Sequence, residues 1–169
     1  MESKYALRAL YWILLIVVPA TLGSYLYEAS LFSFSTIYTV MCRVIGMALV
    51  FYGIALNVMA GRALRKYGHS HPSKRFTQPD RLVKTGIYSC MRHPGQFGLI
   101  LVSVGTSLIV AGILGILISG WIITAGLLFI IYVEEPEARS IFGEDYHLYE
   151  EKVPPISLNI LCVIRQLFN

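Results

Sequence analysis

Charged side chains are scarce in this sequence. Of its 169 residues, 14% are charged and 56% are hydrophobic, and the mean hydropathy is +0.63. A soluble domain carries charge on about a quarter of its residues. The scarcity of charge therefore excludes an ordinary soluble domain and indicates a membrane protein, and the length suits one domain.

Cysteines are also few. The chain has three, an odd number, at the distant positions Cys42, Cys90 and Cys162. Neither a CxxC pair nor a zinc-ligand spacing occurs, so the sequence predicts no disulfide framework and no metal site. His69 and His71 form a weak metal candidate, for which a solvated pair in a loop is the simpler interpretation.

The few charges are unevenly distributed. Most Lys and Arg residues lie between Gly61 and Pro94, and seven of the ten acidic residues lie between Glu134 and Glu151. The basic segment has few aromatic residues and no recognisable nucleic-acid-reading module, which excludes a nucleic-acid partner. The two polar regions instead mark the ends of hydrophobic spans.

Two apolar runs precede the basic segment. The first, residues 9–26, follows Lys4 and Arg8 and approaches the roughly 20 residues that a membrane-crossing helix needs. A signal peptide has a similar layout, but the run is long and no clear cleavage site follows it. We therefore predict an uncleaved first span, and a second span over about residues 35–60.

The segment 61–95 is polar and rich in Lys and Arg, which places it in the cytoplasm by the positive-inside rule. It leads through Arg92, His93 and Pro94 directly into an uncharged run. A polar, sharply bent entry into a hydrophobic helix suits chemistry at a membrane surface. An ordinary start of a membrane helix has the same composition and is the alternative.

Residues 97–133 contain no charge. One straight helix of that length would reach roughly 55 Å, whereas the hydrocarbon core is about 30 Å thick. The run therefore predicts a helical hairpin with short arms that turns at 111–115 or at 119–120. Because a hairpin returns the chain to its starting side, Glu134 is expected near the level of His93.

The acidic segment after the hairpin is followed by an apolar tail. Tyr146 and Tyr149 are three residues apart and share one face of a predicted helix that ends at 154–155. For these tyrosines, as for Tyr88, anchoring in the membrane interface is the alternative to a functional role. The tail, residues 156–168, is short, so we expect an interfacial helix rather than a fifth span.

The hairpin is expected to bring two polar clusters to one membrane face. Arg92 and His93 would meet Glu134 and Glu135 there, and the four side chains would form a pocket with both signs of charge. Carboxylates at the end of a hydrophobic helix are costly unless they are paired or bound to a ligand. An ion pair between Arg92 and a glutamate that only fastens two helix ends is the alternative.

These residues resemble a known family. The pattern is Leu82-Val83-x-x-Gly86-x-Tyr88-x-x-x-Arg92-His93-Pro94-x-x-x-Gly98, then Gly105-Thr106, then Glu134-Glu135, Phe142-Gly143, Tyr146, Tyr149 and Val153-Pro154. In this order, and with a hydrophobic hairpin between its halves, it is similar to the isoprenylcysteine carboxyl methyltransferases. The integral-membrane phospholipid N-methyltransferases share much of it. The resemblance covers about residues 80–155, nearly half of the chain.

The resemblance implies methyl transfer from S-adenosylmethionine at the cytoplasmic membrane surface. It implies that the cofactor is contacted by Leu82, Val83, Tyr88, His93, Pro94, Gly95, Gln96 and Glu134, and we expect Arg92 and Glu135 to be catalytic. Tyrosine faces and a carboxylate attract a sulfonium cation, and cationic groups and backbone N–H groups suit the methionine carboxylate. Methyl transfer needs positioning and a dry pocket rather than a protein nucleophile.

Three positions depart from the family pattern. Phe97 stands where relatives usually have Tyr, and Ala138 stands where they usually have Leu. Ile130 stands where members acting on isoprenylcysteine usually carry an Arg that engages the substrate carboxylate. Cofactor binding is therefore expected to be intact, whereas a prenylcysteine acceptor lacks its usual anchor, which Arg92 or Arg139 would have to replace.

The sequence thus predicts an all-α polytopic membrane protein with about four transmembrane helices, including a C-terminal helical hairpin, and a cytoplasmic C-terminal helix. A single methyltransferase domain, residues 1–169, would comprise two leading spans (1–60), the basic loop (61–95), the hairpin (96–133) and a cofactor-site helix with its tail (134–169).

The expected acceptor is a lipid, or a prenylated small molecule or protein, that enters from the bilayer. Isoprenylcysteine carboxyl O-methylation is the leading reaction, and methylation of a phospholipid or of another small hydrophobic amine or thiol is the alternative. A non-catalytic membrane scaffold of the same fold is the rival interpretation. The active site is expected to face the cytoplasm, in a prokaryotic plasma membrane rather than the endoplasmic reticulum, without a metal and without nucleic acid.

Overall fold

The computed structural model describes residues 2–29, 36–69 and 81–167, and all regular structure in these ranges is helical. The α-helices are α1 (Glu2–Ala29), α2 (Thr36–Tyr67), α3 (Pro94–Ala111), α4 (Leu114–Phe129), α5 (Glu135–Phe142), α6 (Glu144–Glu150) and α7 (Ile160–Leu167). Four helical segments are long and apolar enough to cross a membrane: Ala6–Leu26, Thr36–Tyr67, Pro94–Ala111 and Leu114–Phe142. The predicted all-α fold with four candidate spans is confirmed.

The second helix is longer than the apolar run that predicts it. α2 continues to Tyr67, so the first residues of the predicted basic loop are helical. Arg65 and Lys66 lie in its last turn, where positive charge interacts favourably with the helix dipole. The loop's central part, residues 70–80, lies outside the described residues, and with it His71 of the weak metal candidate.

The predicted hairpin is formed by α3 and α4. Its arms have 18 and 16 residues and are joined at residues 112–113. Gly112 has a φ of 54°, a conformation that glycine adopts without steric cost, and its carbonyl oxygen accepts the N–H of Gly115 at 3.0 Å. The turn predicted at 111–115 is thus confirmed. The alternative at Ser119–Gly120 is wrong, since both residues lie within α4.

The chain divides into two compact units, Met1–Ile54 with Leu99–Gly126 and Ala55–Gly98 with Leu127–Asn169. The single functional domain predicted above stays a prediction. In the first unit, a Cβ added to Gly105 would lie 2.5 Å from the carbonyl oxygen of Gly46. The two helices therefore touch through their backbones there, as small residues allow in membranes.

Hydroxyl groups add to the packing of the first unit. Ser107 and Ser119 both donate to the carbonyl oxygen of Gly115, at 3.3 and 2.6 Å, and all three residues are buried. The Tyr11 hydroxyl donates to the carbonyl oxygen of Ala125 at 2.7 Å. These bonds satisfy polar groups inside an apolar bundle. We call Gly46, Gly105, Ser107 and Ser119 the small-residue contact.

In the second unit the acidic segment is broken in two. α4 passes through one turn of π-helix, Ile130–Glu134, into α5. A turn at Gly143, whose φ is 53°, separates α5 from α6, and α6 ends at Glu150. The segment is therefore two short helices that end before the proline pair, rather than one helix that the prolines terminate.

A disulfide bond joins Cys90 to Cys162, 72 positions apart, with their Cα atoms 5.9 Å from each other. It links the turn of 3₁₀-helix at Gly86–Ser89 to α7 within the second unit. The prediction that the cysteines form no disulfide is wrong for this pair. Cys42 is the remaining cysteine, free and buried.

Candidate functional site

The backbone before α3 is fixed by the C-terminal tail. The N–H groups of Arg92 and His93 donate to the carbonyl oxygens of Pro154 and Pro155, each at 3.0 Å. Pro94 then opens α3, where a proline fits because the first helical residues have no N–H partner within the helix. This arrangement turns the side chains of Arg92 and His93 into the second unit, where both are nearly buried.

At the π turn that follows α4, two adjacent glutamates differ in their burial. Glu135 is only 4% exposed, whereas Glu134 is half-buried. A π turn inserts an additional residue into a helix, rotates the residues that follow, and is frequent at functional sites. Here it is followed by the inward-facing carboxylate of Glu135.

Glu135 is the centre of a buried charged cluster. Its Oε1 accepts hydrogen bonds from Arg92 Nε at 3.1 Å, His93 Nε2 at 2.6 Å and the Tyr146 hydroxyl at 3.0 Å. A carboxylate only accepts, so Nε2 of His93 carries the proton in this contact. We call Arg92, His93, Glu135 and Tyr146 the charged cluster.

Arg92 uses the rest of its guanidinium group on the backbone. Its Nη1 donates to the carbonyl oxygens of Glu150 and Val153, both at 2.9 Å, and its Nη2 lies 3.0 Å from Oε1 of Glu135. The guanidinium also lies over the ring of Tyr146, 5.8 Å from the ring centre. Arg92 thus joins α5, the end of α6 and the tail, and the predicted ion pair with a glutamate is present.

Two further tyrosines, Tyr88 and Tyr149, lie beside the charged cluster. The Tyr149 hydroxyl donates a short hydrogen bond to the carbonyl oxygen of Tyr88, and the rings of Tyr146 and Tyr149 meet edge to face, 6.0 Å apart. Burial raises the pKa of Tyr88, and the neighbouring Tyr149 and the Glu134 carboxylate raise it further.

The rim of the cluster is an exposed ionic network. Arg139 Nη2 contacts Oε2 of Glu135 at 3.2 Å and Oε2 of Glu150 at 2.9 Å, and His147 Nδ1 lies 2.8 Å from Oε1 of Glu150. The hydrogen bonds from Arg139, and then from His147, lower the pKa of the Glu150 carboxyl. With Arg139 on Oε2 and three partners on Oε1, both oxygens of Glu135 are engaged.

The other predicted cofactor residues lie in the segment that leads to α3 and in its first turn. Leu82 is half-buried and Val83 is buried, and their side chains can form apolar walls. Pro94 is fully buried, whereas Gly95 and Gln96 are half-buried at the helix start. The N–H groups of a first helical turn point out of the helix and suit an anion.

For two of the tyrosines, the structure contradicts the alternative of anchoring in the membrane interface. Tyr146 and Tyr149 are 2% and 5% exposed and donate inward, so interfacial anchoring is wrong for both. Their spacing, which puts both on one helix face, was the sequence feature that could have indicated a shared buried position. Arg139 appeared only as a substitute for a substrate anchor, and the roles of Glu150, Pro154 and Pro155 had no signal because backbone carbonyls accept regardless of residue type.

Ile130, at the departure from the family pattern, is 1% exposed and starts the π turn. Phe97, the aromatic residue among the three departures, is buried in α3. Among the described residues, no group of three or more His, Cys, Asp or Glu side chains is arranged to hold a metal ion.

Comparison with known proteins gives one family and several relatives. The profile of the family described as phospholipid methyltransferase matches residues 41–145. The chain is 31% identical over 141 residues to the protein-S-isoprenylcysteine O-methyltransferase of Saccharomyces cerevisiae, which covers 81% of this chain and 57% of that relative. No solved structure matches the chain.

Proteins of the same name from other organisms give similar values. Identity is 32% over 114 residues with the Xenopus laevis protein, covering 66% of this chain and 38% of the relative. It is 31% over 97 residues with the Schizosaccharomyces pombe protein, covering 57% and 39%. The chain thus spans between 38% and 57% of the length of these three relatives.

Proposed function

Because the chain belongs to the phospholipid methyltransferase family, we propose that it is an enzyme that transfers a methyl group from S-adenosylmethionine to a lipid-like acceptor in the membrane. One observation carries this proposal. Arg92 and His93 meet Glu135, next to Glu134, at the start of a helix long and apolar enough to cross a membrane. A polar donor site next to an apolar span suits an acceptor that arrives from the bilayer.

Four kinds of group in the second unit suit the donor. The Glu134 carboxylate and the Tyr88 ring attract a sulfonium cation. Glu134 is also an acceptor for ribose hydroxyls, and the N–H groups of Gly95 and Gln96 suit the methionine carboxylate. Leu82 and Val83 supply apolar walls. Bound there, S-adenosylmethionine supplies an electrophilic methyl group on a positively charged sulfur.

We assign Arg92 and Glu135 a positioning role in place of the direct catalytic role expected from the sequence. Both oxygens of Glu135 are hydrogen-bonded within the protein, and Arg92 uses Nε, Nη1 and Nη2 on protein acceptors. Buried groups that are already engaged by several protein partners are poor ligands for a substrate, but they hold their neighbours rigidly. Glu135 fixes the ring of His93, and Arg92 fixes the tail that supports the loop before α3.

The proposed acceptor rests on the names of the relatives and on Ile130, which departs from the family pattern. The relatives are named protein-S-isoprenylcysteine O-methyltransferases, and an isoprenylcysteine carboxylate is accordingly the first candidate. The second is the amine of a phospholipid, favoured because Ile130 is apolar and buried where a carboxylate-binding Arg is expected. Since Arg92 is nearly buried and engaged by protein acceptors, Arg139, which is partly exposed, is the better substitute for that Arg.

We place the site on the cytoplasmic side of a multi-pass membrane protein. The support is the excess of Lys and Arg in the sequence between Gly61 and Pro94, a segment that ends with Arg92 and His93 of the charged cluster. We propose the prokaryotic plasma membrane as its location, with the endoplasmic reticulum as the alternative.

The test is transfer of a tritiated methyl group by the purified full-length protein in detergent. A prenylcysteine, phosphatidylethanolamine and a small alkyl thiol are offered in separate reactions. Base treatment distinguishes the products, because a methyl ester releases volatile methanol and an N-methyl or S-methyl product does not. We expect base-labile counts with the prenylcysteine.

A matched pair of variants locates the donor site. Glu134→Gln is expected to lose transfer to every acceptor, whereas Glu144→Gln, which neutralises an exposed glutamate at the start of α6, retains it. Base-stable counts with phosphatidylethanolamine alone would replace the acceptor by the second candidate. Absence of transfer, together with absence of donor binding by the folded wild type, would favour the non-catalytic scaffold.

A further inference from the structure

The tail of the second unit presents apolar side chains outward. Leu158 is 82% exposed and Leu161 is 70% exposed, and Ile160 and Ile164 are also exposed. Positions 160, 161 and 164 fall on one side of α7, while Val163 on the other side is buried. Scattered exposed apolar residues are normal on any protein, but a contiguous stripe on one short helix marks an interaction surface.

The orientation of this stripe is set by the protein. The Asn159 side chain accepts the N–H of Cys162 at 3.1 Å and so caps the start of α7. Cys162 is bonded to Cys90, and Gln166 Nε2 donates to Ser89 Oγ at 3.4 Å. These contacts hold the inner side of α7 against the 3₁₀ turn, so the outward direction of Leu161 and Ile164 is fixed.

The tail is attached at the level where a span begins. Pro155 accepts the N–H of His93, the residue immediately before α3. Leu158 is three residues farther along, which is at most about 11 Å of extended chain. At the other end of the tail, Cys90 lies four residues before Pro94, at most about 14 Å. Both attachments keep α7 close to the end of a helix that is able to cross a membrane.

We propose that Leu158 and α7 lie in the interface of the bilayer. Their apolar stripe contacts the upper acyl chains, and Arg165, which is exposed and follows Leu161 by one helical turn, reaches anionic headgroups. The bilayer is the occupant rather than a second copy of the chain because the stripe is attached at the boundary of a span, where lipid is already present. A short amphipathic helix with an apolar face and a cation is the pattern that this interface binds.

This placement has a consequence for the site. The tail that carries α7 also carries the carbonyl oxygens that hold the N–H groups of Arg92 and His93. A bilayer that holds α7 therefore holds the loop of the charged cluster at its surface. This position of α7 depends on the fold and on the side chains of the tail and does not require the proposed methyl transfer.

The experiment uses tryptophan fluorescence in vesicles of phosphatidylcholine and phosphatidylglycerol. The two native tryptophans are replaced as Trp12→Phe and Trp121→Phe, and one tryptophan is introduced as Leu161→Trp. Because Leu161 is largely exposed, the substitution leaves the packing unchanged. The matched control, Glu144→Trp, introduces tryptophan at an exposed position of α6. The vesicles contain phosphatidylcholine brominated either near the headgroup or near the chain end.

We expect the tryptophan at position 161 to lose most of its fluorescence to the lipid brominated near the headgroup and less to the other lipid. The control tryptophan should be quenched by aqueous acrylamide instead. Equal acrylamide quenching of both tryptophans would overturn the proposal. A second result would also overturn it: shielding of this tryptophan from acrylamide and from the brominated lipids that appears only at a high ratio of protein to lipid. A second copy of the chain would then cover the stripe.

Discussion

The small-residue contact and the charged cluster are stabilised by opposite kinds of interaction. In the first, Gly46 and Gly105 bring two backbones together without any charge. In the second, Glu135 is buried, and its carboxylate accepts hydrogen bonds from Arg92, His93 and Tyr146 on one oxygen and from Arg139 on the other. Added atoms should therefore destabilise the small-residue contact, whereas lost hydrogen-bond partners should destabilise the charged cluster.

The largest expected effect is loss of the central carboxylate. Glu135→Ala leaves Arg92 and His93 buried without their shared acceptor, and breaking a buried ion pair on one side costs about 3–5 kcal/mol. We expect a large drop in the thermal midpoint of the protein in detergent, or failure to accumulate.

The neighbouring residue provides the control for that change. Glu134→Gln alters a half-buried side chain outside the charged cluster, so the thermal midpoint should remain close to that of the wild type. Equal destabilisation by both variants would remove the distinction between a positioning glutamate and a donor-binding one.

The second-largest effect is expected from loss of the disulfide bond in the second unit. Cys162→Ser removes the bond to Cys90, which closes a long loop, and should destabilise the fold by about 2–4 kcal/mol. A dithiol reductant should lower the thermal midpoint of the wild type towards that of the variant and leave the variant unchanged. If the reductant leaves the wild type unaffected, the bond contributes nothing to stability.

The third effect tests the small-residue contact. Gly105→Ala would place a Cβ against the carbonyl oxygen of Gly46 and against Val50, which requires the helices to separate and costs about 1–3 kcal/mol. Gly120→Ala is the matched control, because a Cβ at Gly120 meets nothing within 4 Å. Similar thermal midpoints for the two variants would show that close packing does not stabilise this region.

The smallest effect concerns the rim of the charged cluster. Arg139 lowers the pKa of Glu150 below its ordinary value of 4.5, so the pair stabilises the fold above that pH and the contribution is lost as the pH falls through the lowered pKa. The pair is partly exposed, and its contribution should stay below about 1 kcal/mol. Glu150→Gln should flatten the acid side of the stability profile, whereas Glu151→Gln, at an exposed neighbour, should not.

Length and charge were sufficient to predict the fold. The uncharged run 97–133 is too long for a single membrane-crossing helix. It must therefore fold back as a hairpin, and its length leaves two short arms. The hairpin then brings Arg92 and His93 to the acids after it, and their contact with Glu135 is present in the structure. This part of the site follows from the thickness of a bilayer.

Other features could not be predicted because they depend on single residues or on distant ones. The π turn decides which of Glu134 and Glu135 faces inward, and it shifts the helix by one residue without a pattern in the sequence. The bond between Cys90 and Cys162 spans 72 positions, and the odd cysteine count argued against it. The bonds to Pro154 and Pro155 use backbone oxygens, which every residue has.

We propose that Glu134 binds the methyl donor, while the adjacent Glu135 holds the charged cluster together. Equilibrium binding of tritiated S-adenosylmethionine to the purified protein tests it most directly. We predict saturable binding by the wild type and loss of binding by Glu134→Gln, with the thermal midpoint of Glu134→Gln unchanged. Absence of saturable binding by the folded wild type, or wild-type affinity in Glu134→Gln, would contradict the account.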